Sequence, residues 1–276
     1  MVLLNNNYKL CLGSETIKKI HLGNDLVYSV ADSIKLLLDE VPIASIAYSI
    51  RKLSTAYTGF CLRLRRESDN LEQDFGFLNG YLDSESIDAF LGASTGYVVK
   101  WYDQSDNNNH AIQPNIQYQP KLDLSSNKPA LLFDDNGSNS FEFNDISNIR
   151  TLFFKLEYSS TANQVLAYLL GSDTNYDFHA GSSGVFFNTQ YCSPFITNGT
   201  IKLNNSNVAA NTKIPENSFV FSINTTGNLL ADRISKDRYF PDRGWQGTYS
   251  ELLIFSDVID NLTTSNINQN LIDYYL

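Results

Sequence analysis

The sequence is short of cysteine, of basic residues and of long apolar runs, and each shortage excludes a class of protein. Three cysteines, Cys11, Cys61 and Cys192, lie far apart with no CxxC pair. That count and spacing argue against a disulfide scaffold and for reduced, packed thiols in a chain assembled in a reducing cytoplasm. Lys and Arg total 20 against 30 Asp and Glu, giving a net charge of −10. Such a balance leaves no basic face for general nucleic-acid binding. No apolar run is long enough to span a bilayer, and the opening MVLLNNNYKL lacks the basic flank and apolar region of a signal peptide. There is no GxSxG elbow and no glycine-rich phosphate loop. His21, His110 and His179 are too scattered to suggest a metal cluster.

What is present favours a sheet-rich globular chain. Hydrophobic residues make up 42%, and 16 Tyr with 17 Phe bring aromatics to 13%. That is enough to bury a core, and aromatic residues prefer strands. Leu10–Ile17 is echoed by Ile20–Val27, with Gly13-Ser14 and Gly23-Asn24 as two-residue hairpin signals. Residues 1–30 therefore read as a three-stranded β-meander, too small to be stable alone and suited to attachment. Residues 31–42 read as a short connector helix capped by Asp32 or Ser33 and ended by Pro42. From Ile43 onward strand patterns dominate, with turn signals about every 8–12 residues, as in a sandwich or barrel. The strand candidates include Phe195–Thr197 and a hairpin joining Ala130–Phe133 to Ser140–Phe143. A helix over 263–275, with Ile267, Leu271 and Tyr275 on its apolar stripe, closes the chain.

Two groups of residues carry chemistry. The stretch Trp101–His110 runs from an aromatic strand end into a loop dense with amides and carboxylates. Trp101, Tyr102, Asp103, Gln104, Asp106 and His110, with Tyr239 and Trp245 elsewhere, form the expected glycan-binding set. Asp103, Asp106 and Asn108 could hold calcium, which takes several hard oxygens, although the glycine and distal glutamate of an EF-hand are missing. The alternative is a loop whose Asp and Asn side chains cap their own turns, and for Trp245 a plug of the core. The second group is acidic. Asp173, Asp177, Asp237, Asp242 and Glu251 stand near strand ends, where a pair of carboxyls could act on a glycosidic bond.

The strings Ala47-Tyr-Ser-Ile-Arg-Lys-Leu-Ser-Thr-Ala-Tyr-Thr-Gly59, Leu64-Arg-Arg-Glu-Ser-Asp69, Trp101-Tyr-Asp-Gln-Ser105 and Gln246-Gly-Thr-Tyr-Ser-Glu251 carry a resemblance. Together they resemble the catalytic domain of the α-L-arabinofuranosidase B family and, more closely, LamG-type domains of bacteriophage virion proteins. The resemblance covers residues 43–276 and implies a concanavalin-A-like β-sandwich, a jelly roll. In the arabinofuranosidases the nucleophilic glutamate lies three residues after a glycine that corresponds to Gly171, which places Thr174 at the nucleophile position. The family's paired cysteines fall on Leu166-Ala167 and its aspartate before the glycine on Leu169. Asp173, one residue off, and Asp242, ahead of Gln246-Gly-Thr, are the remaining catalytic candidates. A threonine cannot supply the attacking carboxylate. The expectation drawn from this is a non-catalytic virion protein, a tail fibre or capsid decoration. Residues 1–30 would bind other virion proteins, and the sandwich would display a glycan- or host-binding face. Alternatives are a purely architectural role and a glycoside hydrolase of arabinofuranosidase type. The expected chain is a homo-oligomer, with a trimer as one form, needing no cofactor apart from the calcium option.

Overall fold

The computed structural model describes residues 11–12, 15–16, 19–22, 25–29, 35–133, 137–159, 166–182, 184–240 and 242–276. The chain divides into two compact units, Met1–Lys35 and Leu36–Leu276. In the first, Cys11–Leu12 pairs antiparallel with Glu15–Thr16, and Lys19–Leu22 with Asp25–Ser29. Among the described residues these are two separate hairpins, not one three-stranded meander. Both hairpin loops, and the cap of the expected connector helix, lie outside the described residues. The described part of that connector holds a single 3-10 turn, Leu37–Asp39. Leu37 is buried with Ala44, Ala47 and Leu53, so this segment belongs to the larger unit.

The larger unit is built on a closed ring of antiparallel strands, which corrects the expected two-layer jelly-roll sandwich. Starting from Phe141–Tyr158, the pairing passes to Ala111–Ile112, Gly96–Trp101, Lys121–Asp123, Ala130–Phe133 and Gly247–Phe255. Gly247–Phe255 then pairs back onto Phe141–Tyr158 over the register Thr151↔Phe255 to Tyr158↔Gly247. This last pairing converts the layers of a sandwich into a six-stranded barrel. Ala130–Phe133 pairs with Gly247–Tyr249, so the expected hairpin to Ser140–Phe143 does not form. Extra strands extend the ring. Ser218–Ile234 runs along the full length of Phe141–Tyr158, and Thr200–Leu203 and Leu170–Gly171 add to Ser218–Ile234. Ile46–Ser49 adds to Gly247–Phe255. Pro194–Thr197, expected as strand, is one helical turn capped by the Ser193 side chain, because proline suits the first helical position.

Both faces of the central strands are apolar, as expected of strands covered on each side. Leu152, Phe154 and Leu156 share the main core with Phe219, Phe221, Ile223, Leu252 and Ile254. The alternate residues Phe153, Val220, Leu253 and Phe255 pack with Ile267 and Leu271 of the closing helix, Asn261–Tyr275. Alternation along each strand thus feeds the barrel interior and the helix at the same time.

The seam has a glycine for a steric reason. Gly247 adopts φ +141° and pairs with both Phe133 and Tyr158, and an added Cβ would stand 2.0 Å from the Glu157 carbonyl oxygen. Gly247→Ala should therefore lower stability by at least about 2 kcal/mol. A urea midpoint unchanged from the wild type would contradict the tight closure at this point.

Lys155 lies on the same seam, 4% exposed, with its Nζ donating to the Leu156 carbonyl and the Ser218 hydroxyl. Burial pulls its ammonium down to about 8. The folded value lies below the unfolded one, so the unfolded chain binds the extra proton and stability rises with pH from about 8 towards 10. Unfolding free energy should gain about 1 kcal/mol between pH 7 and 9 from this group. Lys155→Met should remove that part of the rise; an identical pH profile in the variant would contradict it.

Candidate active site

The site forms where a loop leaves one strand and is tied down by another. Leu170–Gly171 pairs with Ser218–Ile234 through Leu170↔Ile234 and Gly171↔Arg233. Gly171 is required there, since a Cβ would meet the Lys236 carbonyl oxygen at 2.2 Å. Residues 235–240 and 242–243 then lie on a loop between two backbone ties. The Ser235 N–H donates to Leu169 at 3.0 Å and the Tyr168 N–H to Arg243 at 2.9 Å. Gly244 closes the loop, its Cα packed so that a side chain would strike the Ser235 and Gly137 carbonyls. The loop and the turn following Gly171 are thereby held side by side, and the Arg238 Nη1 donates to the Thr174 carbonyl at 3.3 Å.

Between them lies a cavity of about 330 Å³ lined by Tyr176, His179, Tyr191, Asp237, Tyr239, Phe240 and Arg243. Asp237 is 2% exposed. Its Oδ1 accepts the Tyr239 N–H at 3.2 Å and its Oδ2 accepts Arg243 Nη1 at 2.8 Å. The carboxylate is thus fixed by a charge-assisted bond inside a cleft, the way a reacting carboxylate must be held. The Arg243 guanidinium lies 3.6 Å from the Phe240 ring centroid. Arg238 stacks on Tyr176 at 3.7 Å and on Tyr239 at 4.4 Å. His179 sits among the rings of Tyr168, Tyr176 and Tyr191, with centroids 5.4 to 5.8 Å away. Its Nδ1 lies 2.9 Å from the Ala180 carbonyl, which can only accept, so Nδ1 carries a proton in this contact. Tyr168 is 3% exposed, and burial pushes its phenol well above its ordinary value. Its hydroxyl has no hydrogen-bond partner among the described residues.

The residues expected to bind ligand are dispersed. Trp101 is fully buried and stacked on Tyr48 with centroids 5.5 Å apart. Asp103, 1% exposed, spends its carboxylate on the backbone N–H groups of Ala47, Ser105 and Asn109 and on the Ser105 hydroxyl. Gln104 accepts from the Leu53 N–H and donates to the Ser49 and Arg51 carbonyls. These bonds fasten the loop to the strand Ile46–Ser49 and its continuation. The Tyr102 hydroxyl donates to Asp74 and its ring meets His110 at 4.8 Å. Asp106 and Asn108 are exposed turn residues at φ +68° and +55°. Among the described residues no group of three or more His, Cys, Asp or Glu is placed to hold a metal ion. Trp245 is fully buried, its indole N–H donating to the Glu157 carbonyl at 3.0 Å. Tyr239, 68% exposed, is the one member of that set at the cavity.

The acidic candidates separate as well. Asp237 lines the cavity; Asp173 and Asp242 are exposed. The Asp173 N–H donates to the Asp232 carboxylate at 3.2 Å, on the turn that Arg238 holds through Thr174. Asp177 accepts from the Leu230 N–H and from Asn175, and burial raises its carboxyl. Glu251 is fully buried against Arg51. Sequence reasoning named Asp237 only as one of five acids and missed Arg238, Arg243, His179, Tyr168, Tyr176 and Tyr191. A usable signal was present: Asp237-Arg-Tyr-Phe240 followed by Arg243 packs charge and aromatics into one loop between strands.

A family model for the catalytic region of α-L-arabinofuranosidase B matches residues 39–135. That is about a third of the chain, and the cavity residues lie outside it. Three solved structures align over 83% of this chain at 15% identity. They are a GH54 α-L-arabinofuranosidase soaked with a cyclic sulfate inhibitor and a Glu-to-Gln mutant of a GH54 α-L-arabinofuranosidase soaked with 4-nitrophenyl α-L-arabinofuranoside, each at TM-score 0.54. The third is an arabinofuranosidase complexed with arabinofuranosyl-α-1,2-xylobiose, at 0.52. The alignment spans 62% of each of those chains. No curated protein matches the sequence. The matched family and structures are arabinofuranosidases. They overturn the expectation of a non-catalytic tail-fibre or capsid-decoration protein of a bacteriophage, built on a LamG-type domain. Over the 83% of the chain that aligns, the fold is that of those arabinofuranosidase structures.

Proposed function

We propose that the chain is a glycoside hydrolase domain of arabinofuranosidase type, with its active site in the cavity at Asp237. The observation that carries this reading is the carboxylate itself. Asp237 is buried, fixed by Arg243 and lodged among aromatic rings, at the strand end beside Gly171. Exposed aromatic faces at Tyr176, Tyr191 and Tyr239 offer stacking surfaces for a sugar ring.

Glycoside cleavage by the common route needs two carboxyl groups flanking the bond. In this reading Asp237, held ionised by Arg243, is the attacking carboxylate: its oxygen bonds to the anomeric carbon as the bond to the leaving oxygen breaks. Asp173, on the turn held against Arg238, is the second carboxyl group: it gives its proton to the leaving oxygen and then takes one from the water that frees the sugar from Asp237. Thr174 stands where the resemblance places the nucleophile, and Asp173 is its neighbour in the chain. The fold similarity and the family match at residues 39–135 support the reaction class.

The test is release of 4-nitrophenol from 4-nitrophenyl α-L-arabinofuranoside by the purified chain. Turnover above the buffer rate that is lost in Asp173→Asn supports the reading. A folded chain with no release at high protein concentration contradicts it.

A further inference from the structure

The candidate site brings two guanidinium groups together in an otherwise acidic chain. The whole sequence carries a net charge of −10. At the cavity, Asp237 is the single carboxylate among the lining residues, while Arg243 lines it and Arg238 stacks on two lining tyrosines. Only one of these guanidinium groups is paired with that carboxylate. Arg238 instead lies between Tyr176 and Tyr239 with one Nη1 bond to the Thr174 carbonyl, and its Nε is buried without a hydrogen-bond partner among the described residues. The orphan Tyr168 hydroxyl lies on the same side, next to His179. With a neutral sugar the Arg238 guanidinium would keep the Thr174 carbonyl as its hydrogen-bond acceptor among the described residues and gain no charged partner.

Resting on the reading of this cavity as a glycoside site, we infer that it takes an acidic glycan, one whose sugar next to the cleaved bond carries a carboxylate. The Nη1/Nη2 edge of Arg238 can meet a carboxylate's two oxygens while Nη1 keeps its bond to Thr174, and stacking on Tyr176 and Tyr239 holds that edge in place before the ligand arrives. Asp237 remains committed to Arg243, so the pair does not repel the incoming anion as a bare carboxylate would.

The experiment is NMR titration of the intact chain at pH 7 with D-glucuronate, its neutral methyl ester and inorganic phosphate, following the His179 and tyrosine ring signals. Saturable shifts with D-glucuronate, at least tenfold weaker with the ester and weakened about tenfold in Arg238→Gln, are the expected result. The ester comparison uses the unaltered chain, so it reads the charge effect whatever Arg238→Gln does to stability. Equal affinity for acid and ester overturns the inference. Phosphate binding as tightly as D-glucuronate overturns it too, since the site would then read charge without the sugar. Uronate selectivity without hydrolysis of any aryl glycoside would sink the hydrolase reading alone. Hydrolysis of the neutral arabinofuranoside with no uronate preference would sink this inference alone.

Discussion

Glu251→Ala is expected to lower stability by about 3–5 kcal/mol, the cost of breaking a buried ion pair on one side. Glu251 is fully buried on the strand Gly247–Phe255. Its Oε2 accepts Arg51 Nε at 2.8 Å, the Ser49 hydroxyl at 2.8 Å and the Tyr275 hydroxyl at 3.0 Å, while Oε1 accepts Arg51 Nη2 at 3.0 Å. One carboxylate therefore joins the strand Ile46–Ser49, the residue after Ile50 and the end of the closing helix. Removing it strands the Arg51 guanidinium, 8% exposed, against the rings of Tyr274 and Tyr275. A paired replacement, Arg51→Met with Glu251→Leu, should recover most of the loss, because neither charge of the pair is left behind. Urea midpoints of the two variants measure this. An alanine variant within about 1 kcal/mol of the wild type would mean that Arg51 finds water or another acceptor.

Asp237→Asn should reduce turnover by at least about 10²- to 10⁴-fold, since an amide cannot replace the attacking carboxylate. An amide keeps the shape and can still accept from the Tyr239 N–H, so the fold and the thermal midpoint should hold within a few degrees. Asp242→Asn, at an exposed position of the same loop, should leave turnover within about twofold. This contrast separates the two aspartates that sequence spacing alone left undecided. Equal losses in both variants would place the chemistry elsewhere in the loop.

Local patterns were well marked in the sequence, and long-range ones were not. Asp83 caps the helix Ser84–Leu91 and Gly92 ends it, as their residue types indicate. The closing helix shows its stripe at Ile267 and Leu271. The barrel was hidden because its closing contact joins residues about a hundred apart, Thr151 to Phe255. No local pattern encodes that pairing. Polar stretches inside the two longest strands also misled. Asn144-Asp145 and Asn224-Thr-Thr-Gly227 look like turns, yet Phe141–Tyr158 and Ser218–Ile234 run through them with shifts of register instead of stopping. The same physics concealed the site. Trp101, Asp103 and Gln104 carry the residue types of a sugar site, and the fold uses them to pack and fasten its own loop. Asp237 looked like any loop acid until Gly171 and the backbone ties at Ser235 and Tyr168 turned its loop inward.

The most direct measurement is a crystal structure of Asp237→Asn soaked with 4-nitrophenyl α-L-arabinofuranoside. The furanose ring is expected among Tyr176, Tyr191 and Tyr239, with its anomeric carbon about 3–3.5 Å from the side chain at position 237. A sugar ordered at the Trp101–His110 loop, with the Asp237 cavity empty at saturating ligand, would contradict it.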